Sequence, residues 1–437
     1  MTAPAHSGYS PPGAGPSAGA PAPVPVPVPV PAPVPAPGSG SGAAPGSGVA
    51  PGQEAARPAP GRDRYLDLLR ALALVRVVFL HMFAWTWLPI VFPSMGVMFA
   101  LAGSLMARSL SRPALSVIRG RLRRLLPPLW LMGAIAVPGM LLQGWTAAGS
   151  GHSVAGWWGR MLLWILPIAD PPYAEHLPGV HGLLDTYWGE HAAGPLWYLR
   201  AYLWFVLISP LVLPLLRRVP WLVVPVPMLF CVVLETGWVD LRPELYSIVD
   251  GLAIYGSCWL LGMAYQEGVL ARIPRFLVPS ITPFVMAAVL WWTLNGTNDT
   301  GGPNTLEDST LGQAVWSFGY VLILLNAAPN WQEWPQALRR WSGWIGLLNS
   351  RAVTVYLWHN LAITAAIGLI GLTWGVPLLA ENVPWLLDSE WLAMAFAWPL
   401  IGLCIVAFGW VEDLAAKRRP RLFPYPRQPR ASRARHR

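Results

Sequence analysis

Apolar positions along this chain gather into runs of roughly 18–25 residues separated by short polar breaks, and a helix of that length crosses ~30 Å of hydrocarbon. The pattern predicts about ten spans, near residues 66–88, 90–107, 125–144, 196–216, 219–237, 248–265, 276–294, 311–328, 350–373 and 391–411. The breaks differ in charge. "RSLSRPALSVIRGRLRR" (108–124), Arg217–Arg218, Arg272 with Arg275, Arg339–Arg340 and the C-terminal "KRRPRLFPYPRQPRASRARHR" are basic, whereas "NGTNDTGGPNTLEDST" (295–310) and "ENVPWLLDSE" (381–390) contain no Lys or Arg. This alternation is the positive-inside pattern, and it places the basic breaks and both termini on the cytoplasmic side of a cell membrane. Counting "WWGRMLLWILPIAD" (157–170) as a full span would invert every later loop, so it is assigned to the outer face, interfacial or re-entrant.

Composition agrees with an all-α polytopic membrane protein, a bundle of about ten helices. Hydrophobic residues make up 54% and charged residues 12%, with a mean hydropathy of +0.44, about half the charged fraction usual for soluble domains. The net charge of +9 is accounted for by the cytoplasmic breaks, so it reports topology and gives no reason to expect nucleic acid. Three domains are expected: a Pro/Ala/Gly-rich disordered tail (1–62), a transmembrane domain (63–412) and a basic cytoplasmic tail (413–437). The tail contains a Pro-Val repeat and no signal-peptide pattern. A single Lys among the 30 basic residues suits a GC-rich bacterial genome. Cys231, Cys258 and Cys404 lie within apolar runs and read as core residues.

The outer segment 145–195 carries His152, Glu175, His176, His181, Asp185, Glu190 and His191. Their spacing matches no compact zinc pattern, so no metal is expected. The 26 Trp suit aromatic belts at the two membrane surfaces, with some left to line a sugar site.

The first apolar run, "DRYLDLLRALALVRVVFLHMF" (63–83), carries Arg70, Arg76 and His81 among its Leu and Val. Each is costly in hydrocarbon, so each needs a partner or a polar cavity. Eleven residues separate Arg70 from His81, about 20° past three helical turns with ~16 Å of rise, so both share one face. Arg76 is rotated about 240° from Arg70 toward a different neighbour. Asp67 stands one turn before Arg70, within pairing distance. Arg70 alone reads equally as a side chain snorkelling to the cytoplasmic surface. His81 is expected deep in the membrane, facing the bundle interior as a functional group or as a structural hydrogen-bonding one.

Asp67, Arg70 and His81 in "YLDLLRALALVRVVFLH" resemble the first-span signature of the acyltransferase 3 family of integral membrane acyltransferases, Y-x-D-x-L-R-G-L-A followed by a histidine. "GVMFALAGSLMA" (96–107) resembles that family's second span. "RLRRLLPPLW" (121–130) resembles its R-x-x-R-I-x-P stretch and places Arg121, Arg124 and Pro127. "SRAVTVYLWHNLAI" (350–363) resembles its late S-x-x-x-Y-L-x-H span and places Tyr356 and His359. The motifs occur in the family's order from about residue 62 to 412. The chain departs from the common pattern at the fourth span, where "GPLWYLRAYL" (194–203) has Trp197, Tyr198 and Arg200 but no Glu. Ala71 stands for the usual Gly and Ala102 for the usual Ser.

The resemblance implies transfer of an acyl group, usually acetyl, from cytoplasmic acyl-coenzyme A (acyl-CoA) to a hydroxyl of a carbohydrate, lipid-linked or small-molecule acceptor. No permanently bound cofactor is expected. Imidazole is a base suited to neutral pH, which makes His81 the catalytic candidate, as base or acyl carrier, with Arg70 positioned by Asp67. Arg121 and Arg124 are the candidates for the phosphates of the donor, although they also read as positive-inside residues. Trp197, Tyr198, Arg200, Tyr356 and His359 are substrate candidates, His359 equally a hydrogen-bonding core residue. The rival reading is a transporter or exporter that uses the same polar cavity without covalent chemistry. A third is a sensor descended from the enzyme.

Overall fold

The computed structural model describes residues 63–421 apart from 149–152, 181, 240, 298–301 and 330. The N-terminal tail, most of the basic C-terminal tail, His152 and His181 lie outside the described residues. Ten principal helices carry the chain: α1 (Arg64–Phe83), α2 (Ser94–Ser109), α3 (Ala114–Leu142), α4 (Leu196–Arg218), α5 (Val226–Glu235), α6 (Pro243–Gln266), α7 (Leu277–Leu294), α8 (Thr310–Asn326), α9 (Ala352–Thr373) and α10 (Glu390–Phe408). Among the described residues, seven helical stretches are long and apolar enough to cross a membrane; Pro220–Glu235, which contains α5, and α8 are shorter apolar helices. The 20 residues of α1 would reach across ~30 Å, but Arg64, Asp67, Arg70 and Arg76 keep it out of both apolar groups. The protein is an all-α polytopic membrane protein.

Several expected boundaries move. Asp63 caps α1 by accepting a hydrogen bond from the backbone N–H of Tyr65 at 2.9 Å. The helix stops at Phe83, five residues earlier than expected, because Ala84 adopts φ 47° and donates its N–H to the Leu80 carbonyl. His81 is therefore in the last turn of α1 and exposed, not deep within a longer span. Helix α3 starts at Ala114, so Arg119, Arg121, Arg123 and Arg124 ride on a 29-residue helix rather than a loop. The apolar run at 219–237 breaks near Pro225 into two short helices, as expected where proline lacks an N–H.

The segment 157–170 is not a span. It forms a helix of 7 residues, Val154–Arg160, and one 3-10 turn, far short of the bilayer's width. Indole N–H groups satisfy its irregular backbone: Trp130 donates to Ile165 O at 2.7 Å, Trp204 to Ile168 O at 2.9 Å and Trp164 to Pro172 O at 2.8 Å.

Helices α2 and α6 make the closest crossing. A Cβ at Gly262 would lie 1.8 Å from the Ala100 carbonyl oxygen, and one at Gly103 would lie 2.1 Å from the Trp259 carbonyl oxygen. Glycine thus lets the two backbones touch, the small-residue packing that joins helices where lipid supplies no hydrophobic drive. Gly262→Leu is expected to cost at least ~1–3 kcal/mol through forced separation of the helices. Thermal unfolding in detergent checks this, and an unchanged midpoint would contradict it.

Candidate functional site

Arginine-bearing stretches of α1, α2 and α3 surround a cavity of about 1050 Å³, also walled by the N-terminal half of α4, by α9 and by the short helix Trp410–Ala415. That volume is at the upper end for ligand pockets, ~300–1,000 Å³. Asp67 and Arg70 on α1, Arg121 and Arg124 on α3, Tyr198 on α4 and Tyr356 on α9 all line it. The carboxylate of Asp67 lies 3.9 Å from Arg64, and its backbone carbonyl accepts from the Asn349 side chain at 2.8 Å. Arg121 is a structural tie as well as a lining residue. It donates to the Tyr202 hydroxyl at 3.2 Å, Leu105 O at 3.0 Å and Ser109 Oγ at 3.1 Å. Arg124 has no acidic partner among the described residues. A side pocket of about 390 Å³ adjoins, lined by Arg108, Arg112, Arg121 and Arg124 with no carboxylate. Two adjoining cationic compartments suit a ligand with more than one phosphate.

His81 and His359 face each other away from this cavity. His359 on α9 is fully buried, and its Nδ1 lies 2.6 Å from the Tyr356 carbonyl oxygen. A carbonyl only accepts, so Nδ1 is assigned the proton and Nε2 the lone pair. That lone pair faces His81 Nδ1 at 3.4 Å, and His81 Nδ1 also lies 2.9 Å from the Val77 carbonyl oxygen. Both partners accept, so His81 Nδ1 carries its proton. His81 Nε2 is left basic on an exposed ring. The arrangement holds one imidazole by the proton it must keep and presents its other nitrogen as a base.

A file of rings joins the cavity to this pair. The Tyr198 and Tyr356 rings lie 5.0 Å apart, Tyr356 and His359 5.7 Å, and His359 and His81 4.7 Å. Trp197 stacks on Tyr255, 5.8 Å away, outside the cavity lining. Arg200 also stays out of it. The guanidinium is buried, pairs with Asp170 and donates to Ser247 O at 2.7 Å, so it pins the segment 157–170 to α4 and α6. Arg76 turns toward α2, as its rotation predicted, and donates to Ser94 Oγ at 3.0 Å.

The sequence reading missed the residues beyond α10. Arg351, at the N-terminus of α9, is 1% exposed and donates to Gly409 O at 2.7 Å and to Asp413 Oδ2 at 2.5 Å. Glu412 beside it accepts from the Thr354 hydroxyl at 2.6 Å and from the Thr354 backbone N–H, one of the orphan donors of a helix start. The only signal was a Glu-Asp pair set among arginines just past a span.

Burial pushes the Glu412 carboxyl up to about 7, against an ordinary 4.5. A raised carboxyl binds its proton more tightly in the fold than in the unfolded chain. Its contribution is therefore fully present below pH 4.5 and is lost as pH rises through about 7. Thermal stability should fall between about pH 4.5 and 7, a fall that Glu412→Gln should flatten. The same decline in the variant would assign it to another group.

At the far end of α1, Phe83, Trp85 and Trp87 stack with centroids 4.4 and 5.2 Å apart, and Trp391 lies 4.7 Å from Phe83. Trp87 and Trp391 are exposed. The stretch that carries Leu183 and Gly194 packs on α9. A Cβ at Gly194 would meet Asn360 Nδ2 at 3.2 Å, and one at Gly368 would meet Leu183 O at 2.3 Å. His191 and Asp185 pair at 3.3 Å. Among the described residues no three His, Cys, Asp or Glu side chains gather as metal ligands would.

The family model for the acyltransferase domain of the acyltransferase 3 family matches residues 63–411. No curated protein and no solved structure matches the chain.

Proposed function

The chain belongs to the acyltransferase 3 family, whose model covers most of its length, and from that premise we propose that this membrane acyltransferase moves an acyl group from acyl-CoA to an acceptor hydroxyl, with His81 as the base. The donor, probed best as acetyl-CoA, enters from the cytoplasm, and the arginine-bearing cavity faces that side. Arg70 and Arg124 take phosphate oxygens of the nucleotide end. The narrow pantetheine arm runs along α1 past Tyr198 and Tyr356, covering the ~16 Å of helix rise between Arg70 and His81. The acceptor approaches from the outer end of α1. The stacked Phe83, Trp85 and Trp87 rings and exposed Trp391 offer a flat apolar face there, suited to a sugar ring or a glycolipid.

The acceptor oxygen attacks the thioester carbonyl carbon while its proton passes to His81 Nε2. The carbon–sulfur bond breaks, and the departing sulfur takes that proton from His81 Nε2, which restores the neutral imidazole. Val77 O and His359 Nε2 hold the Nδ1–H of the imidazolium throughout, so the ring need not turn. One observation carries this reading: an imidazole with its basic nitrogen free, joined by a file of rings to an arginine-lined cavity.

The test is incubation of detergent-purified protein with acetyl-CoA and a panel of sugars and glycolipids, followed by mass spectrometry of the acceptors. The reading expects one acceptor to gain an acetyl group. Acceptors that stay unmodified while the protein carries one of them across sealed vesicles would establish a transporter instead.

A further inference from the structure

The chain does not leave the protein after Trp410–Ala415. Lys417 takes φ +57°, a left-handed conformation uncommon for a side-chain-bearing residue, and the segment turns back along the arginine-bearing cavity. Three hydrogen bonds fix it there. Arg418 N donates to Asp413 O at 2.7 Å, Arg421 N to Asp413 Oδ2 at 3.1 Å and Arg351 to Arg421 O at 3.2 Å. Asp413 and Arg351 are both buried, so the turn is anchored to the protein interior. As a result Arg418, Arg419 and Arg421 become part of the cavity wall.

The charge balance of the wall points to an anion. Arg70, Arg108, Arg121, Arg124 and the three strap arginines line it, against the carboxylates of Asp63, Asp67, Glu412 and Asp413. Asp413 is matched by Arg351, which does not line the cavity. Arg418 and Arg419, like Arg124, have no acidic partner among the described residues. Basic residues after a last span also serve as anchors for anionic lipid, a role that needs only charge near the surface. Here the backbone itself is bound in place against the cavity, which a lipid anchor does not require.

We propose that residues 416–421 form a strap that completes the donor site, with Arg418, Arg419 and Arg421 binding phosphate at the nucleotide end of the acyl-CoA. The proposal rests on the reading of this cavity as the acyl-CoA site. It adds a binding element that belongs to neither the first-span motif nor the Arg121/Arg124 pair.

The test compares full-length wild type with the triple variant Arg418→Gln, Arg419→Gln, Arg421→Gln in detergent. Binding of coenzyme A and of 3′-dephospho-coenzyme A is measured by calorimetry. The side chains are exposed and the strap's anchoring bonds come from its backbone, so the thermal midpoint should stay unchanged. The variant should bind coenzyme A about tenfold to a hundredfold more weakly. It should lose less toward the dephospho compound if the strap holds the phosphomonoester. Equal affinity of wild type and variant for coenzyme A would overturn the strap and leave the cavity reading intact. A wild type that binds no coenzyme A would overturn both. A variant that binds coenzyme A normally but no longer associates with vesicles containing phosphatidylglycerol would make the strap a lipid anchor and overturn the proposal.

Discussion

His81→Ala is expected to lower acyl transfer by ~10²–10⁴-fold, the usual worth of a positioned general base, without weakening donor binding. Two observations separate these effects. His81 stands at the opposite end of α1 from Arg70, outside the arginine-lined cavity. Its ring is held by Val77 O and His359 Nε2 rather than by the cavity arginines. His359→Gln should lose less than His81→Ala, because the glutamine side-chain oxygen can still accept from His81 Nδ1. His359→Leu, of similar bulk and without an acceptor, should lose more than the Gln variant. That ordering marks His359 as a positioning residue. Equal losses in the Gln and Leu variants would mean that it only fills space. Calorimetric binding of coenzyme A, run beside the rate measurements, should show no change in any of the three.

The largest expected effect on stability is at Arg351. Arg351→Met should destabilise the protein by about 3–5 kcal/mol, because it leaves the buried carboxylate of Asp413 without its counter-charge. Arg351 and Asp413 are 1% and 7% exposed, so water reaches neither readily. The double variant Arg351→Met/Asp413→Leu removes both charges and should recover much of the loss, since replacing a buried pair by apolar side chains is often close to neutral. Thermal midpoints of the four proteins in one detergent form the cycle. Additive losses would mean that the two groups are not coupled in the way their 2.5 Å contact requires.

The spans were legible because their signal is strong: long apolar runs mark membrane helices with little help from detail. The ends were not. Nothing in "HMFAWTW" announces that Ala84 will adopt a positive φ and stop α1 at Phe83, since Ala ordinarily continues a helix. Helical phase correctly sent Arg76 toward a different neighbour from Arg70, and that neighbour is Ser94 on α2. Phase could not show that His81 and Arg70 are served by different surroundings, because the Tyr198 and Tyr356 rings that stand between them come from α4 and α9. Arg200 shows the converse limit. A buried arginine in a span reads as functional, yet its guanidinium is engaged by Asp170 and Ser247, partners 30 and 47 residues away. Arg351, Glu412 and Asp413 were invisible for the same reason: their roles arise only when the short helix Trp410–Ala415 meets the first turn of α9.

The most direct test of the central claim, that this protein joins a cytoplasmic acyl-CoA cavity to a histidine base at the far end of α1, is the release of free thiol from acetyl-CoA. It is measured on folded, detergent-purified protein supplied with acceptor, wild type beside His81→Ala, with coenzyme A binding determined on the same samples. The account predicts release by the wild type and almost none by the variant, at equal affinity for coenzyme A. Release that survives His81→Ala would move the chemistry away from α1, and a wild type that binds coenzyme A yet leaves every thioester intact would contradict the enzyme reading itself.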